Sequence, residues 1–365
     1  MKIAIIGTRG ITSQYSGIEK SLKETALRLA NRGHLIHAYC QNNHNYFQKI
    51  NHKNIKLIYL PALKNRYLET CSHTVLSLLH LLFFNFNVDI VHIHALGPAL
   101  FSFLPKIFNK KVVVTVHGLD WQRKKWGIVP KIVLKIGEYA AGYFPDRTIV
   151  VSKNLKSYFH DKFKKSFFYI PNGTNIPVIG NSPLKKEKKY ILFVGRLTPE
   201  KEIDLLIRAF NQLNTNLKLV IAGTASYYKK YFLNLKRIAG PKIEFPGFIK
   251  EKALDGLYRN AYLFILPSSI EGSPLSLLEA MSYGLCVLTS KIKENQEIVE
   301  NSGILFESGN CTDLKNKLKY LINNPGLVEN LGKKARQKVK LEYNWEKIIT
   351  NLENLYQELG ANEKN

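Results

Sequence analysis

Eleven short apolar runs, each bounded by turn or loop residues and separated by longer stretches of helical character, constrain this chain more than anything else in it. In the first half they are KIAIIG, LIHAYC, DIVHIHA, VVVTVH and RTIVVS; in the second, YILFVG, LKLVIAG, IEFPG, YLFILPSS, CVLTS and GILFE. Apolar runs of this length without polar alternation are strands buried on both faces. A sheet of such strands needs helices on each side, and the intervening stretches supply them as crossovers. The fold class is therefore α/β, with parallel sheets of Rossmann-like design. The two series meet at PNGTNIPVIGNSPLKKEKK, which is rich in Pro, Gly, Asn and Lys and has no apolar period. At 365 residues the length suits two domains. The expected division is a first domain over 1–170, a linker over 171–189, a second domain over 190–342 and a helical segment over 343–365. In that last segment Ile348, Ile349, Leu352, Leu355, Tyr356 and Leu359 recur at helical spacing and need a surface to cover. Ligands of such sheets bind beyond the carboxyl ends of the strands, so two facing domains predict a cleft between them.

The strand ends of the second half carry the densest chemistry. In EGSPLSLLEAM (271–281), Ser273 suits an N-cap, Pro274 the first helical position, and Gly284 the residue just past the helix end. A strand, a turn and a helix start leave N–H groups and positive dipole at the turn, which makes an anion site. Glu271 precedes the helix and Glu279 lies inside it, their backbones separated by roughly 8–12 Å at ~1.5 Å of rise per residue. A sugar diphosphate nucleoside has about that span from sugar to ribose. An isolated pair at this spacing is more often two solvated glutamates on a surface helix, so the rest of the chain decides. FVGRLTPEKEID (193–204) places Gly195, Arg196 and Lys201 at another strand end, with Thr198 as N-cap, Pro199 at the first helical position and Glu200 in the first turn. Arg as a planar fork and Lys as a point charge can both reach a diphosphate there. Gly223 closes the neighbouring run LKLVIAG.

Two loops of the first half are candidates of lower specificity. GTRGITSQYSGIEK (7–20) holds Gly7, Gly10 and Gly17, which permit close backbone approach; it reads either as a phosphate cradle or as a tight strand-to-helix turn. TVHGLDWQRKKWG (115–127) sets His117 at a strand end, with Trp121 and Trp126 flanking Arg123, Lys124 and Lys125. Aromatic faces stack on sugars and basic groups meet phosphates. A structural histidine and a solvated basic turn are the plainer readings. Arg9, Asp120, Trp121 and Arg123 are the acceptor-side candidates.

Charge narrows the partners. Residues 1–170 hold 25 Lys and Arg against 8 Asp and Glu, an excess of 17; residues 171–365 hold 28 against 20, an excess of 8. A basic first half suits an anionic membrane face or a polyanionic acceptor. Nucleic acid is not expected, because no helix-turn-helix, RNA-binding or zinc signature accompanies the charge. General basicity from an AT-rich genome is the plain alternative. The longest apolar run, 75–86, is 12 residues and includes His80 and Asn85, too short to span a bilayer. MKIAIIGTRG reads as strand and loop rather than signal peptide. The four cysteines, Cys40, Cys71, Cys286 and Cys311, form no zinc or disulfide framework, which suits a reducing cytoplasm. No Asp-x-Asp occurs, which fits the expectation, implied by the family resemblance given next, of neither a metal nor another cofactor.

GRLTPEKEIDLLIRAF followed by PSSIEGSPLSLLEAMSYGLCVLTS resembles the retaining nucleotide-sugar glycosyltransferases of family 4, which have the GT-B fold. The likeness extends over most of the chain, through GTRG…YSGIEK, HGLDWQRKKW, VVSK, IPNG and YNWEKI. The start and HGLDWQRKKW look especially like a rhamnosyltransferase-like branch of bacterial surface polysaccharide enzymes. The resemblance implies an acceptor-binding first domain, a nucleotide-sugar-binding second domain and a final helix that crosses back onto the first. It implies that Arg196 and Lys201 bind the donor diphosphate, that Glu279 bonds the ribose hydroxyls and that Glu271 contacts the donor sugar. Gly195, Gly223, Gly272, Ser273, Leu275 and Ser276 would complete the donor site, with backbone N–H groups on the distal phosphate. His117 would sit by the donor sugar, and Gly17 would let its loop approach the phosphates. Glu271, His117, Arg196 and Lys201 are thus the catalytic set. The implied activity is metal-independent hexosyl transfer with retention, from a nucleotide sugar to a glycan or polyprenyl-diphosphate-linked acceptor, at the inner face of the membrane. A nucleotide-sugar epimerase of related fold is the alternative.

Overall fold

The computed structural model describes residues 1–13, 16–42, 50–65, 68–84, 87–123, 126–178, 190–225 and 228–361. Lys124 and Lys125 of the basic turn, 179–189 of the linker and 362–365 lie outside them. The chain divides into two compact units, Met1–Asn172 with Trp345–Asn365, and Gly173–Asn344.

The first unit is a seven-stranded parallel sheet of β1 (Lys2–Ile6), β2 (Leu35–Gln41), β3 (Ile55–Leu60), β4 (Ile90–His94), β5 (Lys111–Val116), β6 (Arg147–Val150) and β7 (Phe168–Tyr169), in the order 3-2-1-4-5-6-7. Two of these strands, β3 and β7, join the five visible as apolar runs. The period of two along a strand divides its side chains between two cores. Ala4 and Ile6 face a cluster with Leu78, Leu81, Leu134 and Phe159. Ile3 and Ile5 face another, built with Leu22, Ala26 and Leu29 of the Gly17–Asn31 helix. That second cluster is completed from the far end of the sequence. The Trp345–Ala361 helix lays Trp345, Ile348, Ile349, Leu352, Leu355, Tyr356 and Leu359 into it, all buried. Arg32 fixes the same helix from the rim through Glu346 and Glu353, both at 2.9 Å. The helix whose apolar stripe needed a surface thus covers one face of the first sheet.

The second unit is a six-stranded parallel sheet of β8 (Tyr190–Val194), β9 (Lys218–Ala222), β10 (Ile243–Gly247), β11 (Leu263–Leu266), β12 (Cys286–Ser290) and β13 (Ile304–Phe306), in the order 10-9-8-11-12-13. The central strand β11 is inaccessible at every residue, as its unbroken apolar run requires. The following helix, Leu275–Ser282, ends in a paired C-terminal lock. Gly284, at φ +73°, donates to Met281 and Leu285 donates to Ala280, at 2.9 and 3.1 Å. Two helix starts differ from expectation. Pro274, not Ser273, occupies the cap of the Leu275–Ser282 helix. Thr198-Pro199-Glu200 opens only a 3-10 turn, Pro199–Lys201, and a left-handed Glu202 separates it from the Ile203–Asn211 helix. In both cases the loop is bent to present side chains before the helix begins. No helix of the described residues is long and apolar enough to cross a membrane.

Candidate active site

In the second unit the site begins where two strand ends touch. Gly223 has φ +147°, and a Cβ on it would lie 1.8 Å from the Gly195 carbonyl oxygen, so only glycine fits. Gly195 N–H bonds Ala222 O at 3.0 Å, and Leu197 N–H bonds Thr224 O at 2.9 Å. These bonds set the path of the loop that carries Arg196 and delivers Lys201. The Lys201 ammonium is ion-paired with the Glu271 carboxylate, both side chains being largely enclosed at 14% and 10% exposure. Ser269 reinforces the junction, its N–H and hydroxyl both donating to Glu200 O at 2.9 and 3.3 Å. The two sequence motifs therefore form one site.

Glu279 is held differently. Its carboxylate accepts from the Tyr258 hydroxyl at 2.9 Å. Burial, then the charge and hydrogen bond of Glu279, push that hydroxyl well above its ordinary pKa, so it stays a donor. Tyr258 stacks on Tyr283 with ring centroids 5.2 Å apart, and Tyr283 bonds Asp255, which Arg259 pairs at 2.7 Å. Sequence reading missed Tyr258; nothing local marks it, because its partner lies one strand and one helix later. Gly272 and Ser273 form the turn between the two glutamates. Leu275 and Ser276 precede Leu277, whose N–H donates to Pro274 O at 3.1 Å, so their own N–H groups sit where a helix has no acceptor to offer.

In the first unit Gly7 and Gly10 take positive φ against packed neighbours. A Cβ on Gly7 would meet His94 O at 2.6 Å, and one on Gly10 would meet Cys40 Sγ at 2.5 Å. The tight-turn reading accounts for both. Gly17 is exposed and opens its helix, capped by Ser16, whose Oγ accepts from Ile18 N–H at 3.3 Å. Arg9 is ion-paired with Glu69 at 2.8 Å.

His117 terminates a ladder of imidazoles. His92 Nδ1 lies 2.6 Å from Tyr356 Oη and His92 Nε2 2.7 Å from Thr115 Oγ1. The His94 ring is 4.0 Å from that of His92, and His94 Nδ1 is 3.2 Å from His117 Nε2. Burial lowers His92 to about 3 and His117 to about 4, and holds His94 well below the ordinary value. All three are neutral at neutral pH, each with one donor and one acceptor nitrogen. The His117 Nδ1 atom is buried with no hydrogen-bond partner among the described residues. His92 and His94 were missed by sequence reading; their signal was two histidines inside the run DIVHIHA.

The turn after His117 is partly structural. Trp121 Nε1 donates to the buried Glu138 carboxylate at 2.8 Å, and Lys135 Nζ stands 5.1 Å from the Trp121 ring centroid. Asp120 and Arg123 pair with each other at 3.2 Å. Among the described residues no cluster of three His, Cys, Asp or Glu is placed to hold a metal ion.

Residues 178–338 match the family described as Glycosyl transferases group 1, and residues 15–176 that described as Glycosyltransferase Family 4. Both matches are to glycosyltransferase families and together they span most of the chain, which is a glycosyltransferase. This transferase is 27% identical over 308 residues to UDP-Gal:alpha-D-GlcNAc-diphosphoundecaprenol alpha-1,3-galactosyltransferase of Escherichia coli, across 75% of this chain and 76% of that one. Its fold is similar to sucrose-phosphate synthase from Thermosynechococcus elongatus, with TM-score 0.83, 22% identity and 99% of each chain covered. It is also similar to Anabaena HepE solved with UDP-glucose, with TM-score 0.77, 16% identity and coverage of 98% of this transferase and 100% of that chain. These likenesses make the fold GT-B.

Proposed function

We propose that this transferase moves a hexose, with retention of configuration and without a metal, from a nucleoside-diphosphate donor to a polyprenyl-diphosphate-linked or glycan acceptor of bacterial surface polysaccharide synthesis, at the cytoplasmic face of the membrane. The observation that carries the reading is the Lys201–Glu271 pair, set beside Arg196 and the start of the Leu275–Ser282 helix. The departing diphosphate develops negative charge, and preorganised cations and N–H groups stabilise that charge in the transition state. Arg196, Lys201 and the N–H groups of Leu275 and Ser276 take that role. Glu271 positions the Lys201 ammonium and contacts the sugar. Glu279, oriented by Tyr258, accepts from the ribose hydroxyls. His117 offers the sugar its unpartnered Nδ1. The Escherichia coli relative, named for a diphosphoundecaprenol-linked acceptor and a UDP-hexose donor, supports the substrate classes. Both matched families are families of glycosyltransferases, which leaves the epimerase alternative without support.

A panel of nucleotide sugars, scored for protection against thermal unfolding, tests the reading. At least one nucleoside-diphosphate hexose should raise the unfolding temperature, and Arg196→Ala should abolish that rise. No protection from any member of the panel would overturn it.

A further inference from the structure

The Ile128–Tyr143 helix has two apolar faces, and only one is covered. Leu134, Ala140 and Ala141 are buried in the first unit. Ile128, Val129, Ile132, Ile136, Tyr139 and Tyr143 are exposed, by 50% to 80%. Positions 128, 132, 136, 139 and 143 fall on one helical stripe, where a surface helix ordinarily carries polar groups. The patch continues past the helix end. The Phe144 ring lies 5.9 Å from that of Phe103, which opens the Phe103–Ile107 helix with its own exposed Ile107. Contiguous apolar surface of this kind marks an interaction site.

Charge selects the partner. The helix carries Lys131 and Lys135, and its single acid, Glu138, is buried and occupied by Trp121, Tyr158 and Lys162. Lys165 Nζ stands 4.4 Å from the Tyr143 ring centroid at the edge of the stripe. The face is thus apolar and cationic, with no exposed carboxylate from its own helix. A second copy of the same face would set lysines against lysines. An anionic bilayer accepts both components, acyl chains for the stripe and lipid phosphates for the ammonium groups.

We propose that this face seats the transferase in the interface of an anionic phospholipid bilayer. The inference rests on the lipid-linked acceptor reading and gives it a direction. Lys135 leans on Trp121, so the seated helix adjoins the 120–123 turn assigned to the acceptor, at the level where a polyprenyl diphosphate headgroup lies.

Co-sedimentation of the full chain with mixed phosphatidylglycerol–phosphatidylcholine vesicles tests it, beside the Ile132→Asp/Ile136→Asp variant. Both positions are exposed, so folding should be unchanged, as checked by thermal unfolding and by UDP binding. Wild type should bind, and keep a residue of binding at high salt, because the apolar component is not screened. The variant should bind on the order of a hundredfold more weakly, about tenfold for each isoleucine withdrawn. Equal binding by the two proteins would overturn the proposal. So would a stripe-dependent dimer that forms without vesicles, which would make a second copy the occupant. Transfer to a detergent-dispersed polyprenyl-diphosphate sugar with no vesicle binding overturns the surface and leaves the acceptor reading standing. Vesicle binding with no transfer to that acceptor supports the surface and removes the acceptor reading.

Discussion

Along β4 and just past β5 the first unit sets three neutral imidazoles, while the second, past β8 and β11, sets an ammonium, a guanidinium and two carboxylates. The difference follows from enclosure. His92 and His94 lie on a strand buried at every residue, where a proton would cost more than a hydrogen bond returns. Lys201 and Glu271 keep a margin of solvent and pair with each other. All ten histidines of the sequence fall within residues 1–170. One half of the molecule thus gathers uncharged hydrogen-bonding groups, and the other gathers charged ones.

The largest expected effect breaks the charged half. Arg196→Ala and Lys201→Ala should each lower turnover about a hundredfold to a thousandfold, the equivalent of about 3–4 kcal/mol of transition-state stabilisation. Near wild-type turnover of both variants at saturating donor would remove the diphosphate role. Thermal unfolding should accompany the Lys201 measurement, because the change strands an enclosed Glu271 carboxylate.

Acid should act on the other half. The folded state holds His92 near 3 and His94 well below the ordinary 6.5, so below 6.5 the unfolded chain binds more protons than the native one. Stability is fully present above that pH and falls as the pH drops from 6.5 toward the folded values, by about 1.4 kcal/mol per pH unit for each histidine. Amide exchange in β4 and β5 should accelerate with mild acid while β11 and β12 stay protected. Uniform acceleration across both units would erase the contrast.

A smaller effect sharpens the second half. Tyr258→Phe removes the hydroxyl that donates to the Glu279 carboxylate and should weaken UDP binding about fivefold, the loss of roughly 1 kcal/mol. Glu279→Ala should weaken it further. Wild-type affinity in Glu279→Ala would dismiss the ribose role. The smallest expected effect is none: transfer should be indifferent to EDTA if, as proposed, Arg196 and Lys201 meet the diphosphate charge. Activity lost on chelation and restored by manganese would contradict that.

Much of the fold was legible because buried parallel strands advertise themselves as unbroken apolar runs. The two strands that were missed are edges. β3 alternates between exposed and enclosed residues and β7 is two residues long, so neither produces a run. In the site, Arg196, Lys201, Glu271 and Glu279 stood out because each lies just past a strand or inside the next helix. Tyr258 did not, since its partner depends on how a distant helix packs. One helix start was misplaced by a residue, Pro274 taking the cap expected of Ser273. Thr198 does cap with Pro199 and Glu200 after it, but the turn they open is 3-10 and ends at a left-handed Glu202 before the Ile203–Asn211 helix begins.

The ownership of the last helix has a consequence for how the chain is made. The second unit is continuous in sequence and complete once Asn344 has left the ribosome. The first unit is translated earlier yet finishes later. Until residues 345–361 emerge, the face of Ile3, Ile5 and Ile36 has only the Gly17–Asn31 helix to cover it, and His92 has no Tyr356 hydroxyl. Synthesis therefore runs in one direction and maturation in the other, and a nascent chain cut short just before Trp345 carries a partly uncovered apolar sheet face that quality-control factors can read as unfinished.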